Sequence, residues 1–284
     1  MERSPSPSGQ VGKKSGIPWF HIVMGPLALL WLSPILYVMT IAFRSFDDIA
    51  LHGLGALPAT FTLGGFVEAF QGGAVGTALV NSAVVTLSGV LASLFLSSLA
   101  AYALSRYRIP FARTILLVML AGNLLPPQIL LIPVSRIAQG LGIYDTLFAL
   151  IAVQVGFGLG FYTFVLHGFM RSLPNEVFEA AVIDGAGPTR IYWGIVLPLS
   201  RPPLAALTAL ATTWIFNDLI WAMAVLQTET KFPITAALLN LQGGYSTSWN
   251  VVAAGSIVAV IPPAVVFFMF QKQFVSGLLV GSNK

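Results

Sequence analysis

The chain has 284 residues, of which 56% are hydrophobic and only 8% charged, against roughly 25% charged in an ordinary soluble domain. With a mean hydropathy of +0.85, too few charges remain to clothe a surface in water, so lipid is the solvent for most of it. The absence of cysteine excludes disulfides, thiolate nucleophiles and Cys-based metal centres, and the charges behind the net +4 are too scattered for a nucleic-acid patch.

Residues 1–18, rich in Ser, Pro and Gly, read as a disordered cytoplasmic tail. Within it, Gly12-Lys13-Lys14-Ser15 glances at a phosphate-binding loop but fails the pattern. Pro7 stands where the first glycine is needed, and no Ser or Thr directly follows the first lysine. The chain is therefore expected to hold no nucleotide and to perform no catalysis.

Residues 19–284 read as one transmembrane domain. Windows of about 20 apolar residues, enough for a helix to cross ~30 Å of hydrocarbon, fall at roughly 19–43, 76–105, 114–135, 146–170, 202–228 and 251–271. Asp218, in the fifth, is the only Asp, Glu, Lys or Arg inside any of them. The first window is too long for a signal peptide and has no small-residue cleavage site after it. The fold class is all-α, a polytopic protein of six transmembrane helices. Pro126-Pro127, Pro133 and Pro262-Pro263 interrupt the third and sixth windows, as packed kinks or as the lining of a path.

Charge sets the orientation. With a cytoplasmic N-terminus, Arg3, Lys13, Lys14, Arg106, Arg108, Arg113, Arg171, Arg190, Arg201, Lys272 and Lys284 lie inside, and only Arg44, Arg136 and Lys231 outside. By the positive-inside bias, both termini and the 172–201 loop belong in the cytoplasm.

That loop is patterned. Val177, Phe178, Ala181 and Val182 fall on one helical face, with Ser172 or Asn175 available to cap its start. Gly185, Gly187 and Pro188 break the helix, Thr189 can cap a second short one with Ile191, Ile195 and Val196 on its apolar side, and Pro198 ends it. The pattern fits equally a helix pair resting at the membrane interface and a docking element for a cytoplasmic partner.

Glu179-Ala180-Ala181, then Gly185 after three intervening residues, Ile195 after nine more and Leu197-Pro198 after one more resemble the EAA motif of binding-protein-dependent ABC importer permeases along its whole length, with Asp184 in the motif's common extension. Asn81-Ser82, the stretch 98–107, residues 127–133 and Phe216-Asn217-Asp218 resemble the carbohydrate branch. The tail from Gln273 is similar to that of the maltose transporter's smaller permease subunit, with its final basic-glycine ending altered. The resemblance implies a type I importer permease fold and half of a channel for a sugar or oligosaccharide. It also implies the partners: a second permease, two copies of a cytoplasmic ATPase that bind ATP and Mg, and an extracytoplasmic sugar-binding protein. By the same resemblance, Glu179, Ala180, Ala181, Asp184, Gly185, Ile195, Leu197 and Pro198 would couple the chain to the ATPase. Gly185 would allow the bend, Glu179 would face a basic residue of the ATPase, and the outer loop 243–250 would probe the binding protein.

Candidates for a substrate path are the polar groups within the spans, Asn123, Gln128, Gln154, Asn217 and Asp218, joined by Trp214. On a continuous fifth helix, Trp214, Asn217, Asp218 and Trp221 share one face by i, i+3, i+4 and i+7 spacing, an aromatic and amide surface suited to a sugar. Helix–helix hydrogen bonding and interfacial anchoring by Trp account for the same residues. Other classes remain open: a permease for a non-sugar solute such as glycerol phosphate, a membrane-embedded enzyme, and a secondary transporter. The enzyme needs a nucleophile and base at one depth. The secondary transporter needs internal repeats or paired intramembrane charges. Neither pattern is seen. The dispersed His21, His52 and His167 receive no role.

Overall fold

The computed structural model describes residues 18–71, 74–242 and 247–280. All of the expected tail except Pro18, the loop tip 243–246 and the ending 281–284 lie outside the described residues, as do the side chains from Lys272 onward. Among the described residues there is no strand.

Four helices among the described residues are long and apolar enough to cross a membrane: α1 (Pro18–Ala42), α4 (Ala74–Arg106), α7 (Leu147–Arg171) and α14 (Trp249–Val280). The sixth window is therefore one helix, continuous through Pro262-Pro263. Two short helices, α2 (Phe46–His52) and α3 (Gly64–Gln71), follow α1.

The third and fifth windows are not continuous helices. In the third, α5 (Ala112–Ala121) runs on through a 3-10 turn to Leu124, then the chain turns by 102° into α6 (Pro127–Gly140). The prolines cause the break. Leu125 precedes Pro126 and is driven to extended backbone (φ −72°, ψ 132°), while Pro127 opens the next helix, where its missing N–H is not needed.

In the fifth, α11 (Arg201–Phe216) stops at Asn217, and the short α12 (Ile220–Val225) follows. Asn217 Nδ2 donates to the Thr213 carbonyl (2.8 Å), and Asp218 Oδ1 accepts from the Trp221 N–H (3.4 Å). Short polar side chains here compete with the backbone for its own hydrogen bonds and stop the helix. The expected shared face is thereby lost: Trp214 is 51% exposed and Trp221 only 6%.

α4 and α7 form the centre of the bundle, with α11 and α5 packed against them. Small residues make this close approach possible. Ser97 Oγ on α4 donates to the Leu159 carbonyl on α7 (3.3 Å), and Gly160 lets α7 meet α5. A Cβ built on Gly160 would stand 2.1 Å from the Met119 carbonyl oxygen. Without a hydrophobic drive between helices in lipid, such packing and interhelical hydrogen bonds hold the bundle together.

The 172–201 loop lies at one end of the bundle, the loop end. At the opposite, far end, ionic hubs organise the connections. Arg44 is wholly buried, with Nε 2.6 Å from Asp48 Oδ2 and Nη1 donating to the carbonyls of Gly53, Leu54 and Ala56. Its guanidinium holds the Asp48 carboxyl below the usual range.

Asp145, in left-handed backbone (φ 57°), ties the start of α7 to the segment after α12. Its carboxylate accepts from Lys231 Nζ (2.8 Å), Thr228 Oγ1 (2.6 Å) and the N–H groups of Gln227 and Thr228 (2.9 and 3.0 Å). Asn81 and Ser82 fasten the next residues to α4, Asn81 Nδ2 to the Thr230 and Phe232 carbonyls and Ser82 Oγ to the Ile234 N–H that opens α13 (Ile234–Asn240).

Gly160→Ala is expected to force α5 off α7 and to destabilise the bundle by about 1–3 kcal/mol, the usual toll of overpacking. A lower melting temperature of the protein in detergent, with Gly168→Ala, where a Cβ meets nothing within 4 Å, as the control, measures it.

Lys231, Thr228 and the backbone N–H groups hold the Asp145 carboxyl well below the usual carboxylate range. Its folded value thus lies below the unfolded value of about 3.9, so the stability it adds is present above that value and lost as pH falls through the folded one. Asp145→Asn should lower the melting temperature by the same amount at pH 5 and pH 8, and the gap should narrow in more acid solution.

Candidate coupling site

The 172–201 loop forms α8 (Asn175–Ile183), α9 (Pro188–Ile191), a π turn over Tyr192–Val196 and α10 (Leu197–Leu199), and the run 188–199 meets α11 at 71°. Pro198 lies inside this run, so the second helix ends one residue later than expected, at Leu199. Neither Ser172 nor Asn175 caps α8; Pro174 holds the N-cap position and Asn175 is the first helical residue. Gly187, not Thr189, precedes α9.

The spacing of the motif has a local cause. Gly185 has φ +77°, its N–H donates to the Val182 carbonyl (3.0 Å), and the Ala186 N–H donates to the Ala181 carbonyl (2.9 Å). This pair of bonds is a Schellman closure of α8, with Asp184 at the C-cap and glycine at the one position that needs left-handed backbone. A Cβ on Gly185 would meet nothing within 4 Å, so the requirement is backbone strain and not space within the chain.

The expected apolar face of α8 divides in two. Ala181 is buried and Phe178 packs into the core, whereas Val182 and Ile183 are 62% and 85% exposed. Glu179 and Ala180 are exposed, and Glu179 has no hydrogen bond or ion pair among the described residues. Ile195 and Leu197 pack against the core beside buried Ile191, Tyr192 and Val196. Val182, Ile183 and Glu179 therefore form a free ledge, held from behind by the rest of the motif.

What holds the ledge is a stripe on α4 that the motif does not include. Ser98 Oγ lies 2.7 Å from the Tyr192 hydroxyl, and Tyr102 Oη donates to the Pro188 carbonyl (3.2 Å). Arg106 Nη1 donates to Asn175 Oδ1 (2.9 Å), and its Nη2 donates to the Leu173 carbonyl (3.2 Å) and the Met170 carbonyl. The Arg106 guanidinium also stacks 3.6 Å over the Phe178 ring. These residues lie inside the stretch 98–107, and their i, i+4, i+8 spacing was the signal available in the sequence.

The path candidates separate into two groups. On the bundle surface, Asn123 stands beside Gly160, and the neighbouring Phe161 ring lies 5.3 Å from Trp214, one turn before the exposed Asn217. Inside, Gln154 lies beside Asp218, and Gln154 Nε2 and Asp218 Oδ2 are buried atoms without hydrogen-bond partners. The Asp218 carbonyl accepts from Thr235 Oγ1 (2.8 Å), and Trp221 stacks on Phe157 at 4.5 Å. Gln128, exposed on α6, joins neither group.

A bundle of apolar helices with two bent spans is a multi-pass membrane protein. Residues 93–280 match the family described as binding-protein-dependent transport system inner membrane component, and the chain belongs to that family. It is similar to a probable ABC transporter permease protein of Pyrococcus horikoshii, 30% identical over 261 residues that cover 91% of this chain and 95% of the relative. The diacetylchitobiose uptake system permease protein NgcG of Streptomyces coelicolor is 29% identical over 269 residues, covering 93% and 89%. Among solved structures, a chain of a bacterial ABC transporter involved in the import of the acidic polysaccharide alginate superposes with a TM-score of 0.77 at 25% identity, over 95% of this chain and 100% of that one. The chain is a multi-pass inner-membrane component of an ABC importer.

Proposed function

We propose that the chain forms half of the translocation pathway for a sugar or oligosaccharide and takes its drive from a cytoplasmic ATPase through the 172–201 loop. The observation that carries this reading is the ledge on α8. Two large aliphatic side chains, Val182 and Ile183, stand in the open beside the unpaired Glu179, on a helix closed by a left-handed glycine and braced from behind. They face away from the core, as a partner's cleft requires.

On this reading the loop end is cytoplasmic, as are both termini, in accord with the distribution of basic residues. ATP and Mg belong to the ATPase, of which two copies bind, one per permease subunit, and an extracytoplasmic binding protein delivers the solute. The stretch 243–250, of which 243–246 lie outside the described residues, is assigned to contact with that protein by the resemblance alone.

The sugar assignment rests on what the similar proteins are said to carry, diacetylchitobiose and alginate, and on the surface group of path residues. Asn123, Thr213 and Asn217 are exposed along spanning segments, where amides and hydroxyls are poorly placed against lipid. That face turns to a second permease subunit across a polar path, and Phe161 and Trp214 supply the flat apolar surfaces that a sugar ring covers. Gln154 and Asp218 support the path from behind.

Two expectations test the reading. Glu179→Lys and Gly185→Val should leave the chain in the membrane at normal level but reduce co-purification of the ATPase, or leave ATP hydrolysis without uptake. For Gly185→Val the backbone cost alone is about 1 kcal/mol or more. A charge reversal in a basic residue of the ATPase should restore Glu179→Lys, and full uptake by both variants would remove the loop from coupling.

With a panel of labelled oligosaccharides to identify the transported sugar in cells carrying the whole transporter, Trp214→Ala and Asn217→Ala should raise the half-saturating concentration by about tenfold, the worth of one lost stacking or hydrogen-bonding contact. Protein level should stay unchanged. Loss of protein in place of a kinetic change would return these residues to packing.

A further inference from the structure

The coupling reading has α8 seated on the ATPase. The covalent connections of the loop lead only to α7 and α11, so ATPase closure would reach those two spans directly. The contacts described above lead elsewhere as well. Ser98, Tyr102 and Arg106 stand one above another on the loop-end half of α4, and each grips a different part of the loop: the π turn, the start of α9 and the start of α8. The same guanidinium closes the Met170 and Leu173 carbonyls at the end of α7.

A guanidinium is suited to such a junction because its donors diverge in one rigid plane whose face remains free to stack. Arg106 uses the plane for Asn175 and the two carbonyls and the face for Phe178. Tyr102, whose ring lies 5.5 Å from that of Tyr192, fixes α9 by its hydroxyl. The far half of α4 in turn carries Asn81 and Ser82, the anchors of the segment that leads to the outer loop.

Resting on the coupling reading, we propose that Arg106 and Tyr102 are positioning residues that lock the coupling helices to α4, so that a displacement of α8 by the ATPase moves α4 as one body with the loop and is carried along it to the outer segment 226–240. The second span thereby becomes a transmission rod, although the loop is not joined to it in the chain.

The chain has no cysteine, so exposed Arg108 and Glu176 can be replaced by cysteine and spin-labelled in the assembled transporter, with cysteine-free partner chains. Distances are read before and after Mg-ATP with vanadate. With Arg106 present, the 108–176 distance should not change on trapping. In Arg106→Ala the ATPase should still co-purify and the same treatment should change the distance by about 5 Å, one helical turn. Arg106→Lys, which keeps the charge but not the fork, should lie between.

A distance that changes with Arg106 in place, or stays fixed in Arg106→Ala, overturns the proposal. So does loss of the ATPase from Arg106→Ala alone, because the residue then serves docking. Failure of the ATPase to co-purify with the unaltered chain defeats the coupling reading itself, and the proposal with it. Should Arg106→Ala fail to accumulate, Tyr102→Phe removes a single hydroxyl and is read with labels at 108 and 190, on the same expectation for α9.

Discussion

The last carbonyls of a helix have no partner within it, and at a membrane surface they must be closed before the chain can turn. At the end of α7 that closure is shared: the Ser172 and Leu173 N–H groups reach the Phe169 and Met170 carbonyls, and Arg106, a residue of another helix, takes the Met170 and Leu173 carbonyls. Because the guanidinium takes the Met170 and Leu173 carbonyls, it is held where Asn175 and Phe178 can reach it, and α8 is set at a fixed place on α4. Because α8 is fixed from that side, Val182 and Ile183 have nowhere to turn except outward. The ledge offered to a partner is a consequence of how the span behind it is capped.

The same constraint governs the breaks. A backbone group freed inside lipid needs a substitute partner, and each interruption of a span has one in view. Asn217 and Asp218 turn their own side chains onto the peptide groups around the end of α11, and Thr235 returns to bond the Asp218 carbonyl. Ser135 Oγ in α6 donates to the Ala224 carbonyl at 2.5 Å and so joins the two short helices that follow the two breaks. Gln154 Nε2 and Asp218 Oδ2 are among the buried atoms without a partner. They lie where α4, α7 and α11 meet, since Gly89 on α4 stands within contact of both Gln154 and Ile215. Polar atoms buried without a full set of partners at a three-helix junction are costly.

At the far end, order comes from charges removed from water. Arg44 and Asp48 form a pair with neither side chain open to solvent, and four carbonyls take the other guanidinium nitrogens, those of Gly53, Leu54 and Ala56 at Nη1 and that of Asp48 at Nη2. Such a pair is tolerable only when every donor is used, and here it fixes the fold of the connection between α1 and α3. Asp145 does the corresponding work between α7 and the segment after α12. Both hubs use residues that in the chain look like ordinary loop charges, and Arg44 and Lys231 entered the topology count only as outside cations.

Some of this was legible from composition and pattern. Scarce charge and six apolar windows require a helical membrane bundle because only helices and closed barrels satisfy their backbone in lipid. The EAA spacing requires a helix ended by a left-handed glycine, because a Schellman closure places its glycine a set distance past the last turn. Those are local properties, and both appear in the structure. Whether a span is continuous was not legible in the same way. Pro126-Pro127 bends its span by 102°, whereas Pro262-Pro263 leaves α14 unbroken, since the outcome depends on what neighbours supply to the freed groups. The division of α8 into a half-buried Phe178 and an exposed Ile183 was likewise beyond the sequence, because helical periodicity marks an apolar face without saying whose surface will cover it. Residue types and spacings determined that this chain crosses the membrane in helices and carries a glycine-ended loop. Only the tertiary structure decided that Arg106, 69 positions from Asn175 in the chain, would hold that loop, because a guanidinium takes whichever carbonyls and amides the packing of α4 on α7 brings within its reach.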